Sequence, residues 1–154
     1  DVRAYPETIR AILEADLVVL GPGSLYTSVL PNLLIRSIPE ALRASRGLVM
    51  YVCNVATQHG ETDGYTVHDH VRAIERHIGP DAIDVVLANA RMDVPWVNSP
   101  EGVGEIVRIE SLGGLPQIAT ADVIDETRPW RHDSHKLAQA VLQTFSELRR
   151  ETGS

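Results

Sequence analysis

The chain has 154 residues, a net charge of −7 and 44% hydrophobic residues, which fits one globular domain with an ordinary core. A single lysine, Lys136, stands beside thirteen arginines that form no basic stripe, arguing against a nucleic-acid footprint or an anionic membrane surface. No apolar run approaches the roughly 18 to 20 residues of a bilayer span, so no membrane span is expected.

In chain order, residues 6–15 predict a helix with Pro6 near its start and Ile9, Ile12 and Leu13 on one face. The continuous apolar run LVVL, 17–20, predicts a strand buried on both faces, as in a parallel sheet. After the loop GPGSLYTS, 21–28, helical spacing resumes over 30–44, and a second strand is expected over 47–55. A polar stretch follows at 56–65, then a helix over 66–77 with Val67, Val71 and Ile74 on one face, closed by Gly79 and Pro80. The third strand is expected over 83–89. This alternation predicts an α/β domain with a mainly parallel sheet and right-handed crossovers.

Beyond residue 90, short strands are expected over 105–110 and 121–126, at the sheet edge. Asp133 or Ser134 caps a last helix whose apolar face is Leu137, Val141, Leu142, Phe145 and Leu148. Cys53 is the only cysteine, so an internal disulfide and a four-cysteine zinc site are excluded. The polar opening lacks a secretory pattern, and a reducing, cytosolic setting is expected.

The loop after the first strand lies where ligands bind parallel sheets, at the carboxyl ends of the strands. Gly21 and Gly23 free the backbone, Pro22 stiffens the turn, and Ser24, Thr27 and Ser28 add hydroxyls around Leu25 and Tyr26. A phosphate or carboxylate fits such a turn, helped by the dipole of the following helix. A positive φ at Gly23 would shape the anion nest, so Gly23→Ala is expected to impair binding more than Ser24→Ala. No lysine completes a Walker loop, and Tyr26 stands where GxGxxG needs its third glycine. The alternative is a tight turn whose hydroxyls cap a helix.

After the second strand come Asn54, Thr57 and Gln58, then His59, Glu61, Thr62 and Asp63 around Gly60 and Gly64. If the two strands are neighbours, both loops open onto one rim. Asn54 and Gln58 suit a base or sugar edge, while Glu61 and Asp63 suit sugar hydroxyls or a water-held divalent cation. Asn89 is a third rim candidate, or a local cap of the 91–95 turn. His68 and His70 diverge on a helix, HExxH is absent, and no zinc site is expected from them with His59 and His77. Trp96 and Trp130 suit stacking on a ligand or covering a small satellite core. Arg131, beside His132 and Asp133, is a candidate phosphate contact. GxSxG is missing and Cys53 lies in an apolar strand, so no catalytic residue is assigned and binding is better supported than chemistry.

Taken together, GPGSLYTSVLPNLL, YVCNVATQHGETDGYTVHDHV and the spacing between them resemble the YvcK family of CofD-like proteins, the gluconeogenesis factors of the UPF0052 group. The resemblance is strong over about 10–90 and weaker to the end, where HDSHKLAQAV resembles the family's closing helix. Ala56 and His59 depart from the methionine and proline common in relatives. Family members usually have about twice this length and open with a strand and a GGGTG nucleotide loop, so the chain resembles their C-terminal half. A complete pocket would then need the missing N-terminal half or a second copy.

The resemblance implies a Rossmann-like three-layer α/β sandwich. It further implies a cytoplasmic bacterial protein that binds a nucleotide sugar such as UDP-N-acetylglucosamine and links carbon metabolism to cell-wall synthesis and cell shape, without established turnover. Gly21, Gly23, Ser24, Leu25, Tyr26, Thr27 and Ser28 would border the phosphates or sugar, with Asn54 to Asp63 across the pocket. Related CofD enzymes transfer a phospholactate-type group from a guanylylated donor to a deazaflavin, using magnesium. A regulator, such a transferase and a non-catalytic interaction domain therefore stand as the three readings, with no cofactor assigned beyond the nucleotide sugar and the magnesium of the second.

Overall fold

The computed structural model describes residues 2–95, 99–110 and 116–152. In chain order the elements are α1 (Pro6–Glu14), β1 (Leu17–Leu20), a π-helical turn (Leu25–Val29), α2 (Leu30–Leu33), α3 (Ser37–Ala44), β2 (Leu48–Val52) and β3 (Ala56–Gln58). Then come α4 (Val67–Ile78), β4 (Val85–Asn89), β5 (Val103–Ile106), β6 (Gln117–Ala121), β7 (Ile124–Asp125), β8 (Arg128–His132) and α5 (Ser134–Thr152).

The centre is a parallel four-stranded sheet in the order β1-β2-β4-β6. Val18 lies opposite Val49, Leu20 opposite Tyr51, and Tyr51 opposite Val86. All five residues of β4 are buried, as are four of the five in β2, which is why both read as mainly apolar runs rather than alternating ones. Side chains still divide by parity. Val49, Tyr51, Cys53, Val86 and Ala88 join a core with α2, α3 and α4, while Met50, Val52, Val85 and Leu87 join a second core under α5. Two cores on the two faces of one sheet make the three-layer α/β sandwich expected from the sequence.

Prolines explain why the helix expected over 30–44 is divided. Pro31 follows the π-helical turn, in which Val29 N–H reaches Ser24 O at 2.9 Å. The helix restarts at Ser37, which sets Pro39 in the first turn of α3, where a missing N–H breaks no helical bond. Helix α4 opens with a reciprocal cap: Thr66 Oγ1 accepts Asp69 N–H at 3.3 Å, and Asp69 Oδ2 accepts Thr66 N–H at 2.9 Å. At α5 the cap is Asp133, whose Oδ1 accepts the His135 and Lys136 amides at 2.8 and 2.9 Å.

Three expectations need correction. Of the sheet-edge strand expected over 105–110 only Glu105 and Ile106 are strand, as the end of β5, which pairs antiparallel with β3 in a separate two-stranded sheet. Glu105 N–H donates to Thr57 Oγ1 at 2.8 Å, and Gly104 lets that hydroxyl approach where a Cβ would collide with it. The main-sheet edge is β6, upstream of the expected 121–126, of which Ile124–Asp125 pairs with β8. QIATA carries one large apolar residue because an edge strand buries less, and it was therefore the weaker signal. Leu142 is 62% exposed and outside the apolar face of α5; Ala140 and Thr144 turn inward beside Leu137, Val141 and Leu148. No helix among the described residues is long and apolar enough to cross a membrane.

Thr66→Ala removes the α4 cap and should cost about 1 kcal/mol in urea unfolding, whereas Leu142→Gln should stay within about 0.5 kcal/mol. A loss at Leu142 equal to that at Thr66 would contradict this packing.

Candidate functional site

Because β1 and β2 are parallel neighbours, the loops after them leave the sheet on the same side. They meet through Asn54, whose Nδ2 donates to Gly23 O at 3.0 Å and whose Oδ1 accepts Gly23 N–H at 3.3 Å. A second bridge runs from Ser24 Oγ, donating to Glu61 Oε2 at 2.7 Å, while Thr27 Oγ1 donates to Ser24 Oγ at 2.6 Å. Tyr26 and Tyr65 join their hydroxyls at 2.8 Å farther out.

The positive φ expected at Gly23 lies instead at Gly21, with φ +81°. A Cβ there would stand 3.1 Å from Val52 O, so the turn needs glycine for both its angle and its closeness to β2. At Gly23 a Cβ would meet Ser28 Cβ at 3.2 Å, a milder obstacle made by a side chain. Leu25 is fully buried in the core, so only its backbone borders the loop.

The 58–63 turn holds itself together. Thr62 Oγ1 accepts Gln58 N–H at 2.8 Å, and Asp63 accepts Gly60 N–H at 2.7 Å and meets His59 Nδ1 at 2.8 Å. Those bonds, led by the Gly60 amide, hold the Asp63 carboxyl below the usual carboxylate range. Thr57 and Thr62 are buried. Asn89 is nearly buried at the end of β4 and bonds Arg91, Nδ2 to its carbonyl at 2.6 Å and Oδ1 from its amide at 3.3 Å, which is the local capping arrangement.

Both loops form one wall of a cavity of about 1030 Å³. Gly23, Ser24, Asn54, Thr57 and Gln58 line it; Gly21, Leu25, Tyr26, Thr27, Ser28, Glu61, Thr62, Asp63 and Asn89 do not. Pro100–Val103 extend the loop wall, Val103 pairing with Gln58, and the rest of the lining comes from Trp130, Arg131 and His132 of β8 and from Leu137, Ala138 and Val141 of α5. His132 fastens the walls together, its ring Nε2 lying 3.2 Å from Cys53 O. Burial lowers the His132 pKa against the opposing effect of that carbonyl, and burial pushes the Cys53 thiol up to about 12. Arg131 is exposed at the rim with no ion pair to any described residue. Trp96 falls outside the described residues.

Sequence reasoning missed the apolar part of this lining. Leu137 and Val141 read as part of the apolar face of the last helix, Val103 lies outside the strand expected over 105–110, and only the antiparallel β3–β5 pairing brings it to the cavity. Of the histidines on α4, His70 and His77 direct Nδ1 onto carbonyls four residues back, of Thr66 and Ala73, at 2.8 and 2.7 Å. Burial also lowers the pKa of His70.

Gly21→Ala should destabilise the chain by at least about 1 kcal/mol, and Gly23→Ala by less, measured by urea unfolding. For pH, both His70 and His132 have folded pKa values below the unfolded imidazole, so the unfolded chain takes up protons first as pH falls. Stability should decline as pH drops through about 6.5 toward the lowered folded values. His70→Gln should shallow that decline; an unchanged slope in both His70→Gln and His132→Gln would remove these residues as its source.

Residues 1–103 match the family described as 2-phospho-L-lactate transferase CofD. The chain is 42% identical over 149 residues to the gluconeogenesis factor of Bacillus subtilis, covering 92% of this chain and 47% of that protein. It is 53% identical over 154 residues to the putative gluconeogenesis factor of Clostridium acetobutylicum, covering 96% of this chain and 34% of that one. A crystal structure of a UPF0052-family protein from Bacillus halodurans shares the fold with a TM-score of 0.80 at 38% identity, covering 92% of this chain and 47% of that chain. The chain thus spans about half the length of the Bacillus relatives and a third of the clostridial one. It belongs to the CofD family, among members similar to the gluconeogenesis factors of the UPF0052 group.

Proposed function

We propose that the chain forms much of the binding site of a non-catalytic regulatory protein whose ligand is a nucleotide sugar of the UDP-N-acetylglucosamine type. The observation that carries this reading is the cavity with two unlike walls at the carboxyl ends of β1 and β2. A planar base suits the face of Trp130, and a diphosphate suits the guanidinium of Arg131, which has no ion pair among the described residues. Sugar hydroxyls suit Gln58 and Ser24 on the loop wall, where Asn54 is spent on holding Gly23 in place. Relatives named gluconeogenesis factors support a role in central carbon metabolism; in this reading the protein ties that metabolism to cell-wall synthesis and cell shape in the bacterial cytoplasm.

A second reading, a magnesium-dependent transferase, is favoured by the CofD description of the family match. Such chemistry would draw on Glu61 and Asp63, and their carboxylates already bond Ser24 in one case and Gly60 and His59 in the other. The regulator reading is therefore preferred.

Calorimetric titration of UDP-N-acetylglucosamine, with and without magnesium, into this chain and into the Bacillus subtilis relative tests the assignment. Saturable binding that ignores GDP supports the regulator; silence toward UDP sugars with magnesium-dependent GDP binding supports the transferase. Arg131→Ala should weaken UDP-sugar binding by about tenfold or more, the scale of a lost charge-assisted bond. Binding should also quench Trp130 fluorescence, and Trp130→Phe should abolish that signal.

A further inference from the structure

Several polar side chains on the cavity are already engaged within the protein. Ser24 bonds Glu61, Asn54 bonds Gly23, Thr57 accepts the Glu105 amide and His132 meets Cys53 O. Among the described residues, Gln58, Glu101, Arg131 and Ser134 of the lining have no such side-chain partner. Two of these carry charge, and the signs are opposite. Glu101 is the one acidic residue among the described residues that line the cavity. The backbone fixes where it stands. Val103 N–H donates to Pro100 O at 3.2 Å and Gly102 has φ +88°, the positive angle that a type II turn needs at its third residue. Glu101 is the second residue of that turn. His59 N–H donates to Gly102 O at 2.9 Å and Val103 lies opposite Gln58, so the turn is tied to the loop wall. Glu101 thus shares a wall with Gln58, while Arg131 belongs to β8.

We propose that Glu101 is a specificity residue, which selects nucleotide sugars with an uncharged glycosyl unit and disfavours those whose sugar carries a carboxylate or a further phosphate. The inference rests on the nucleotide-sugar reading above. With the base on Trp130 and the diphosphate at Arg131, the glycosyl unit is left to the loop wall, where Gln58 and Glu101 accept its hydroxyls. A sugar hydroxyl has a proton to give to the Glu101 carboxylate. An ionised acid on the sugar has none, and it sets like charge beside like charge. Repulsion of that kind across a partly dehydrated cavity is worth on the order of tenfold in affinity. The cavity is therefore polarised: its cation favours the anionic middle of the ligand, and its anion rejects a second anionic end.

UDP-glucose and UDP-glucuronate differ only in a hydroxymethyl group against a carboxylate, so this pair of probes isolates the charge. Each is titrated calorimetrically into the chain and into Glu101→Gln, at low and at high salt. The chain is expected to bind UDP-glucose at least about tenfold more tightly than UDP-glucuronate. Glu101→Gln should bring the two affinities close together, and Glu101→Lys should reverse the preference. Added salt should narrow the gap in the unsubstituted chain and leave the ratio in Glu101→Gln unmoved. A purely structural role for Glu101 would shift both affinities together and keep their ratio. Equal affinities in the unsubstituted chain, or a gap that survives Glu101→Gln, would overturn the inference while the nucleotide-sugar reading stands. Binding of neither probe, nor of UDP-N-acetylglucosamine, would overturn that reading and this inference with it.

Discussion

The parallel pairing of β1 with β2 is the constraint on which the remaining architecture depends. Leu17 to Leu20 run beside Leu48 to Tyr51 in the same direction, so the two chains leave the sheet at the same end. Antiparallel pairing would have sent Gly21 and Asn54 to opposite ends. With them together, the side-chain amide of Asn54 completes both hydrogen bonds of the Gly23 peptide, and Ser24 reaches Glu61. Each such bond is modest, about 1 kcal/mol net. Their importance is geometric, since they make two loops far apart in sequence a single surface.

Much of this was legible in the residues themselves. The unbroken apolar run 17–20 and the mainly apolar segment 83–89 announced strands of a parallel sheet, and Gly79 with Pro80 announced the end of α4. What was not legible has physical causes. A segment such as VGEI, in β5, pairs antiparallel with three residues of β3, and no local pattern names a partner some fifty residues away. The positive φ could be narrowed to the glycines of GPG, but the choice of Gly21 depends on the nearness of Val52 O, a tertiary fact. Hydroxyl and carboxylate groups at 54–63 were visible as a polar cluster. That most of them bond one another, leaving Gln58 as the side chain on the cavity without such a partner among described residues, required the fold.

The cavity joins the two cores of the sandwich. Its loop wall grows from strands that also carry the α2–α4 core, and its apolar wall grows from α5 and β8 over the other. His132 crosses between them to reach the carbonyl of Cys53. Occupancy of the cavity therefore bears on the packing of both layers.

The environment of Cys53 has a consequence for how such changes can be followed. The only thiol in the chain is sealed at the end of β2, 1% exposed, and is held protonated by burial. A thiolate reagent reaches it only when the sheet opens. Alkylation of this single native cysteine is thus a clock for sheet opening that needs no engineered label. Any molecule that prefers the closed form slows that clock by the same factor by which it depletes the open form.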